Sequence, residues 1–166
     1  MSIQSPIHKI LLYVDGTEEC ISAGQYAIAL AHRLNAELVA VYCVNVSLLE
    51  ELVKVRIFVK IEEMDYQQDL EQDGKRYLNY ISEMAKAKGL SIKTELTKGV
   101  VNKEIANIIE KEEADLLVMG ELEPVMSRTD TYHDEAELIF RKAKCSVLIV
   151  KDAIRAEKMY NDIITD

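Results

Sequence analysis

Short, nearly continuous apolar runs recur along the chain and are separated by stretches with a helical period. Four of these runs are Lys9–Val14, Leu38–Val44, Asp115–Gly120 and Val147–Lys151. Uninterrupted apolar segments of this length are typical of strands that are buried on both faces of a parallel sheet. A weaker and more polar strand is predicted over Ser91–Leu96. The pattern therefore predicts a sheet of about five mostly parallel strands.

The segments between the strands place apolar residues three and four positions apart, which indicates amphipathic helices. Helices are predicted over Ile21–Asn35, Tyr66–Lys88, Asn102–Glu113 and Asp134–Lys142. Gly89 is a natural C-terminal cap for the second of them, and Asn102 is a good acceptor for the first free N–H groups of the third. The order βαβααβαβαβ predicts an α/β three-layer sandwich with helices on both faces of the sheet.

Two segments have a less regular pattern. Leu48–Ile61 carries many apolar residues; its first half fits a helix, whereas Lys54–Lys60 could equally alternate as a strand. Ordinary core packing is the favoured explanation of that apolar surplus, and burial against a partner is the alternative. The main domain is predicted over residues 1–151. The polar tail, residues 152–166, has isoleucines and a methionine at rough helical spacing, so that it either docks as a helix or frays.

Composition narrows the class of protein. The chain has 166 residues, 49% of them apolar, and a net charge of −9 at pH 7. It can therefore bury a core, and its charge argues against binding nucleic acid or an anionic membrane surface. The sequence lacks an apolar stretch of roughly 18 residues, and Met1–Ile7 does not have the pattern of a signal peptide. Three isolated cysteines (Cys20, Cys43 and Cys145) suit a reducing compartment, so a cytoplasmic location is expected.

Candidate chemistry is sought beyond the carboxyl ends of the strands, where open parallel sheets bind ligands. The sequence has neither a phosphate-binding P-loop nor a dinucleotide fingerprint, and it has no G-x-S-x-G nucleophile elbow. Asp15, directly after the first strand, is the best single candidate, because a carboxylate there can hold a ribose, a metal or the backbone. The equally weighted alternative is that Asp15 caps the following turn and helix, a task that Thr17 could also perform.

A polar loop follows the fourth strand. From Glu121 to Glu137 the chain has six acidic residues, one arginine and His133. A metal site is conceivable there, but Asp134 and Glu137 have the spacing of a helix capping box, and a solvated loop is favoured. The cysteines lie in or beside apolar segments and are interpreted as small core hydrophobes. The sequence shows no catalytic constellation, which favours a non-enzymatic role.

Several of these segments together resemble the universal stress protein family. They are Lys9–Thr17, Ala36–Val44, Gly99 before a helix, Ala114–Gly120 and Ala143–Val150, and the resemblance runs from about residue 7 to residue 151. It implies the Rossmann-like fold of the adenine nucleotide alpha hydrolase superfamily, with strand order 3-2-1-4-5. It also implies a homodimer joined by antiparallel pairing of the last strand, which contains Val147, Leu148, Ile149 and Val150.

Many members of that family bind ATP through the pattern G-x-x-G, nine residues, G-S/T. In this sequence Gly120 takes the first place, but Glu123 stands at the second glycine, and His133 and Asp134 stand at the last two places. The spacing survives although three of the four residues differ. Two carboxylates would lie near the phosphates, and like charges 4 Å apart repel by about 1 kcal/mol in water and about 4 kcal/mol at an effective dielectric of 20.

The resemblance also assigns remnants of the nucleotide site. Asp15 matches the family's aspartate after the first strand, and Cys43 stands near the adenine-side contact. We therefore expect a non-catalytic, dimeric stress-response protein that acts through a protein partner, without a cofactor and without holding ATP in the usual way. The alternative is an ATP-binding switch or weak ATPase that uses Asp15 and Gly120 with a metal ion held by the acidic loop. A third interpretation assigns another small ligand to the vacated crevice.

Overall fold

A parallel sheet lies at the centre of the molecule. The computed structural model describes residues 4–54, 60–122 and 135–165, and within them the strands are β1 (Lys9–Val14), β2 (Glu37–Asn45), β3 (Lys93–Gly99), β4 (Leu116–Gly120) and β5 (Ser146–Val150). They lie in the order β3-β2-β1-β4-β5, and each neighbouring pair is parallel. The predicted α/β sandwich and the strand order that the resemblance implied are both confirmed.

Helices cover both faces of this sheet. In the described residues they are α1 (Glu18–Leu34), α2 (Val46–Lys54), α3 (Lys60–Lys86), α4 (Val101–Glu112), α5 (Glu135–Lys142) and α6 (Ala153–Asn161). Alternate residues of β1 point to opposite faces: Ile10 and Leu12 pack with α1, α3 and α6, whereas Leu11 and Tyr13 pack with α4 and α5. We call these the α1 face and the α4 face. At the central strands both faces of the sheet are apolar, because helices cover each of them.

The bounds of β3 differ from the prediction. The sequence placed this strand at Ser91–Leu96, but it spans Lys93–Gly99, because its residues pair in register with Val39–Asn45 of β2. At the edge of a sheet, main-chain pairing sets the bounds of a strand although the side chains are polar. The apolar pattern alone therefore placed the strand too early.

The second helical region begins earlier than predicted. α3 starts at Lys60 rather than at Tyr66. At its other end Gly89 adopts φ +72° and its N–H donates to the carbonyl of Lys86, which confirms the glycine stop. α2 confirms a helix for the first half of the irregular segment, and residues 55–59, where the strand alternative fell, lie outside the described residues.

The C-terminal tail docks on the domain. α6 buries Ala156 against α1, and Ile163 beyond it is 7% exposed. The hydroxyl of Tyr160 donates to the carbonyl of Met84 at 2.8 Å. The Nζ of Lys88 reaches two carbonyls at the end of α6 and lies 4.9 Å from the centroid of the Tyr160 ring. This cation at a helix C-terminus supplements the apolar contact. Within the described chain, no helix has both the length and the hydropathy to cross a bilayer.

A buried carboxylate links the amino ends of the strands. Glu112, 8% exposed, accepts from Lys9 at 3.4 Å and from Lys93, and the hydrogen bond from Lys93 lowers the pKa of this carboxyl. Because the pKa of Glu112 is lower in the folded protein than in the unfolded chain, its ionised form stabilises the fold. This stabilisation is fully present above the ordinary pKa of 4.5 and is lost as the pH falls through the folded-state pKa.

Glu112→Gln is expected to lower the free energy of unfolding by about 2 kcal/mol at pH 7, because the charged partner of two lysines is removed. The difference from the wild type should shrink below about pH 4. Urea unfolding at pH 7 and pH 3.5 measures both values. Glu37→Gln is the matched control, since Glu37 pairs with Lys9 but is 75% exposed, and it should leave the stability unchanged. If the loss of unfolding free energy in Glu112→Gln were the same at pH 7 and pH 3.5, the electrostatic explanation would be contradicted.

Candidate functional site

The carboxyl ends of the parallel strands meet at one edge of the sheet, and Asp15 follows β1 there. Its Oδ1 accepts from the N–H of Thr17 at 3.0 Å and from the Thr17 hydroxyl at 2.6 Å. Thr17 is the N-cap residue of α1 but makes no side-chain cap hydrogen bond. Asp15 thus organises the turn into α1, as the structural alternative proposed, while its carboxylate remains exposed at the ligand edge.

Gly120 ends β4 beside the first turn of α1. A Cβ at this position would lie 2.9 Å from the carbonyl carbon and oxygen of Glu19. Real Cβ atoms essentially never approach backbone this closely, so the packing of α1 on β4 by itself requires a glycine here. The presence of Gly120 is therefore explained without a nucleotide.

Cys43 lies near the carboxyl end of β2 and is 8% exposed. Burial, together with the charges of Glu104 and Glu135, raises the pKa of its thiol to about 12. Burial and the charge of Asp15 raise the pKa of Cys20 to about 11. Both thiols are consequently protonated at neutral pH and unsuited to nucleophilic attack. The interpretation of these two cysteines as core residues is confirmed.

Carboxylates from separate segments act on Tyr13 and Cys43, which lie near the carboxyl ends of β1 and β2. Burial is the largest cause of the raised pKa of the Tyr13 hydroxyl, and the charges of Asp15 and Glu135 raise it further. Glu104 accepts from the hydroxyl of Thr97 at 2.9 Å. Three carboxylates, Asp15, Glu104 and Glu135, thus contribute negative charge to the same region.

Sequence reasoning missed Glu104 and Glu135 as site residues. An acidic residue in the first turn, such as Glu104, is ordinarily explained by the helix dipole alone. The available indication was its position in the first turn of the helix after β3, because that turn lies at the ligand edge in a parallel α/β fold. Glu135 is the first residue of α5, and the same rule applies to it.

Asn102 has a different role from the predicted helix cap. Val100 is the N-cap residue of α4, and Asn102 lies inside the helix with 5% exposure. Its Nδ2 donates to Glu135 at 3.4 Å, and its Oδ1 accepts from the Nζ of Lys142 at 2.9 Å. One buried amide therefore ties the start of α4 to both ends of α5. The prediction was wrong because the tertiary partners of the amide lie more than 30 residues away.

The remaining predicted site residues are placed as follows. Glu123, His133 and Asp134 lie outside the described residues. In the described ranges, no group of three or more His, Cys, Asp or Glu side chains is arranged to hold a metal ion. The residues named for the dimer interface lie on β5: Val150 is buried, and Val147, Leu148 and Ile149 are half-buried.

Comparisons with known proteins agree with this architecture. The sequence model of the universal stress protein family matches residues 6–151. A curated universal stress protein of Methanocaldococcus jannaschii is 33% identical over 143 residues, which cover 86% of this chain and 81% of the relative.

Solved structures show the same fold. UspA of Lactobacillus plantarum superposes with a TM-score of 0.70 at 19% identity, covering 89% of this chain and 99% of that one. A universal stress protein in complex with cAMP has a TM-score of 0.66 at 19% identity, with coverages of 89% and 99%. An Arabidopsis thaliana family protein with AMP bound has a TM-score of 0.60 at 15% identity, with coverages of 89% and 94%. From the family match and the curated relative it follows that this chain belongs to the universal stress protein family.

Proposed function

We propose that this protein is a dimeric, non-catalytic member of the family that acts through contacts with a protein partner and does not hold ATP in the usual family manner. The observation that supports the proposal is the position of three carboxylates at the ligand edge: Asp15 follows β1, Glu104 lies in the first turn of α4 and Glu135 is the first residue of α5. Their charges also raise the pKa values of Tyr13 and Cys43 near the ends of β1 and β2. In the sequence, Glu123 and Asp134 stand where the family's phosphate-binding pattern has a glycine and a serine or threonine, and they bring two more carboxylates.

The charge balance opposes a triphosphate. Each carboxylate within about 4 Å of a phosphate charge costs about 1 to 4 kcal/mol, depending on the local dielectric. In the family pattern, glycine N–H groups and a hydroxyl donate hydrogen bonds to the phosphates. This chain has other residues at three of those four positions. Burial raises the thiol pKa values of Cys20 and Cys43, which argues against a mechanism that uses either thiol as a nucleophile.

Calorimetric titration with ATP, with and without Mg²⁺, is expected to give no saturable heat up to millimolar nucleotide. The matched variant restores the family residues (Glu123→Gly, His133→Gly and Asp134→Ser) and should gain binding in the micromolar range, because two carboxylates are removed and close backbone approach is restored. Micromolar affinity in the wild type would refute the proposal.

The second candidate function is a nucleotide-binding switch. It is favoured by the relatives that carry cAMP and AMP and by the retention of Asp15 and Gly120. The structure supplies a sharper variant for this hypothesis than alanine: Asp15→Asn keeps an oxygen for the two hydrogen bonds from Thr17 and removes only the charge. AMP or ATP binding that changes in Asp15→Asn, with unaltered stability, would support the switch.

Dimerisation through β5 is proposed because the two edges of the sheet differ. β3 carries lysines at Lys93 and Lys98, which discourage pairing with another strand. β5 is short and apolar, and within the described residues its only strand neighbour is β4. Ile149 packs against the α4 face and Leu148 against the α1 face. An aspartate at Ile149 would therefore disturb the core as well as an interface.

Ser146→Lys is the cleaner test of this interface. Ser146 is exposed at the start of β5, so a lysine there should leave the core intact and raise the dimer dissociation constant at least about tenfold by hindering strand pairing. Thr94→Lys, at an exposed position of the opposite edge strand, is the control and should leave the dimer unchanged. Analytical ultracentrifugation measures both. An unchanged dimer in Ser146→Lys, or a monomeric wild type at micromolar concentration, would reject β5 as the interface.

A further inference from the structure

A concave region lies on the α1 face, between α1 and α3, whereas Glu104 and Glu135 belong to the helices that cover the α4 face. It is a cleft of about 610 Å³ lined by Gly16, Ile21, Asp73, Arg76, Tyr77 and Tyr80. Pockets that hold small molecules are typically a few hundred to a thousand Å³ in volume. The cleft begins at Gly16, directly after Asp15, and therefore opens beside the edge where parallel sheets bind ligands.

The walls of the cleft are apolar and aromatic. Tyr77 and Tyr80 project from successive turns of α3, and Ile21 of α1 also lines the cleft. The Tyr77 ring lies 3.6 Å from the position of a Cβ at Gly16, so the turn and this ring are in close contact. Tyr80 is 54% exposed, which leaves its ring available for a flat partner. Tyrosine faces stack on planar rings with little loss of side-chain entropy.

One end of the cleft is polar but carries no net charge. Asp73 and Arg76 form an ion pair across one turn of α3, with side chains 41% and 78% exposed. An exposed pair of this kind is weak, so either partner can turn toward a ligand at little cost. The carboxylate accepts from an N–H group, and the guanidinium donates to a carbonyl oxygen or ring nitrogen. With the two charges cancelled, this end favours a neutral ligand that has a donor beside an acceptor.

We propose that the cleft binds a small, planar, uncharged heteroaromatic compound that presents an N–H group next to a carbonyl oxygen. The ring stacks on Tyr80 and Tyr77, Asp73 accepts from the N–H group, and Arg76 donates to the carbonyl. A phosphorylated ligand is disfavoured, because Arg76 is the one cationic side chain among the described lining residues and Asp73 already neutralises it. This site does not depend on whether Asp15 and Gly120, at the ends of β1 and β4, take part in holding a nucleotide.

The test is an NMR titration of the ¹⁵N-labelled protein with theophylline and with caffeine. The two probes have the same ring, but a methyl group in caffeine replaces the N–H that theophylline presents beside its carbonyl. Theophylline should bind saturably with a dissociation constant of about 1 mM, as expected for a ligand of this size, and shift amide signals of Gly16, Ile21 and Tyr80. Caffeine should bind at least about fivefold more weakly, because its donor is blocked.

Variants separate the two parts of the site. Tyr80→Ala should weaken both probes at least about fivefold, whereas Tyr80→Phe should preserve binding because the ring is kept. Asp73→Ala should abolish the preference for theophylline over caffeine. Phe140→Ala, which removes a 44% exposed ring from α5 on the other face, is the control and should change nothing. The proposal is overturned by the absence of shifts up to 20 mM probe (roughly twentyfold above the expected constant). Shifts centred on Cys43 and Asn102, or equal affinity for the two probes, would overturn it as well.

Discussion

Gly120→Ala is expected to lower the free energy of unfolding by about 3 kcal/mol, although it adds a single methyl group at the ligand edge. The new Cβ would meet backbone atoms of Glu19 at 2.9 Å. Backbone cannot rotate away as a side chain can, so α1 or β4 has to shift as a unit. Urea unfolding followed by circular dichroism measures the loss.

Gly24→Ala is the matched control for this prediction. Gly24 is buried in α1, but an added Cβ there would meet the Cδ1 of Ile81 at 2.6 Å, which is the end of a flexible side chain. The gain in helix propensity offsets part of the crowding, so the stability should stay within about 1 kcal/mol of the wild type. If Gly120→Ala were as stable as Gly24→Ala, the packing of α1 on β4 would not explain the glycine at position 120. A role of Gly120 in ligand binding would then be the better explanation.

Removal of residues 153–166 is expected to cost at least about 3 kcal/mol of stability. The deletion exposes the part of the α1 face against which Ala156 and Ile163 pack. It also removes the hydrogen bond from the Tyr160 hydroxyl to the carbonyl of Met84. It also leaves Lys88 without the α6 carbonyls that it contacts. The thermal midpoint and the urea midpoint of the truncated chain measure the effect.

Point variants test the same contacts without removing the whole helix, in case the truncated chain does not fold. Ile163→Ala should cost about 2 kcal/mol, and Tyr160→Phe about 1 kcal/mol. The double variant Ile154→Ser and Ile164→Ser is the control, since both side chains are 82% exposed and should contribute nothing measurable. A truncated protein with wild-type stability would show that α6 contributes no net packing energy.

The prediction concerns a helix outside the family match, which ends at residue 151, two residues before α6 begins. If the matched segment were stable by itself, removal of α6 would not lower the free energy of unfolding. The contacts of Ile163, Tyr160 and Lys88 argue that, in this chain, α6 belongs to the core on the α1 face.

Most of the fold could be predicted from the chain because the apolar pattern is strong where the strands are buried on both sides. β1 and β4 are examples: Lys9–Val14 was predicted and is observed, and β4 begins one residue later than the predicted Asp115–Gly120 and ends at the same residue. The pattern failed where an element is polar. β3 is an edge strand whose bounds follow from pairing with β2. α3 begins six residues before the predicted Tyr66, and Glu62, Met64 and Asp65 in that stretch are exposed, so they give no buried apolar pattern.

The candidate site was less predictable, because its residues are close only in the folded chain. Asp15 could be singled out from its position after an apolar run, and the altered phosphate-loop pattern could be counted along the sequence. Nothing local to Glu104 or Glu135 distinguishes them from other acidic residues in first turns. The cleft between α1 and α3 could not be predicted for the same reason: Tyr77 and Tyr80 lie on α3, and Ile21, which faces them across the cleft, lies on α1.

The layers of the molecule and the order of its elements along the chain could thus be read from the sequence alone, since both follow from local spacing and residue type. Only the tertiary structure decided that Gly120 accommodates α1, that Asn102 joins α4 to α5, and that Lys88 holds the end of α6. Each of these roles depends on how two elements approach one another. That approach is set by the packing of whole faces against the sheet, which periodicity within one segment does not encode.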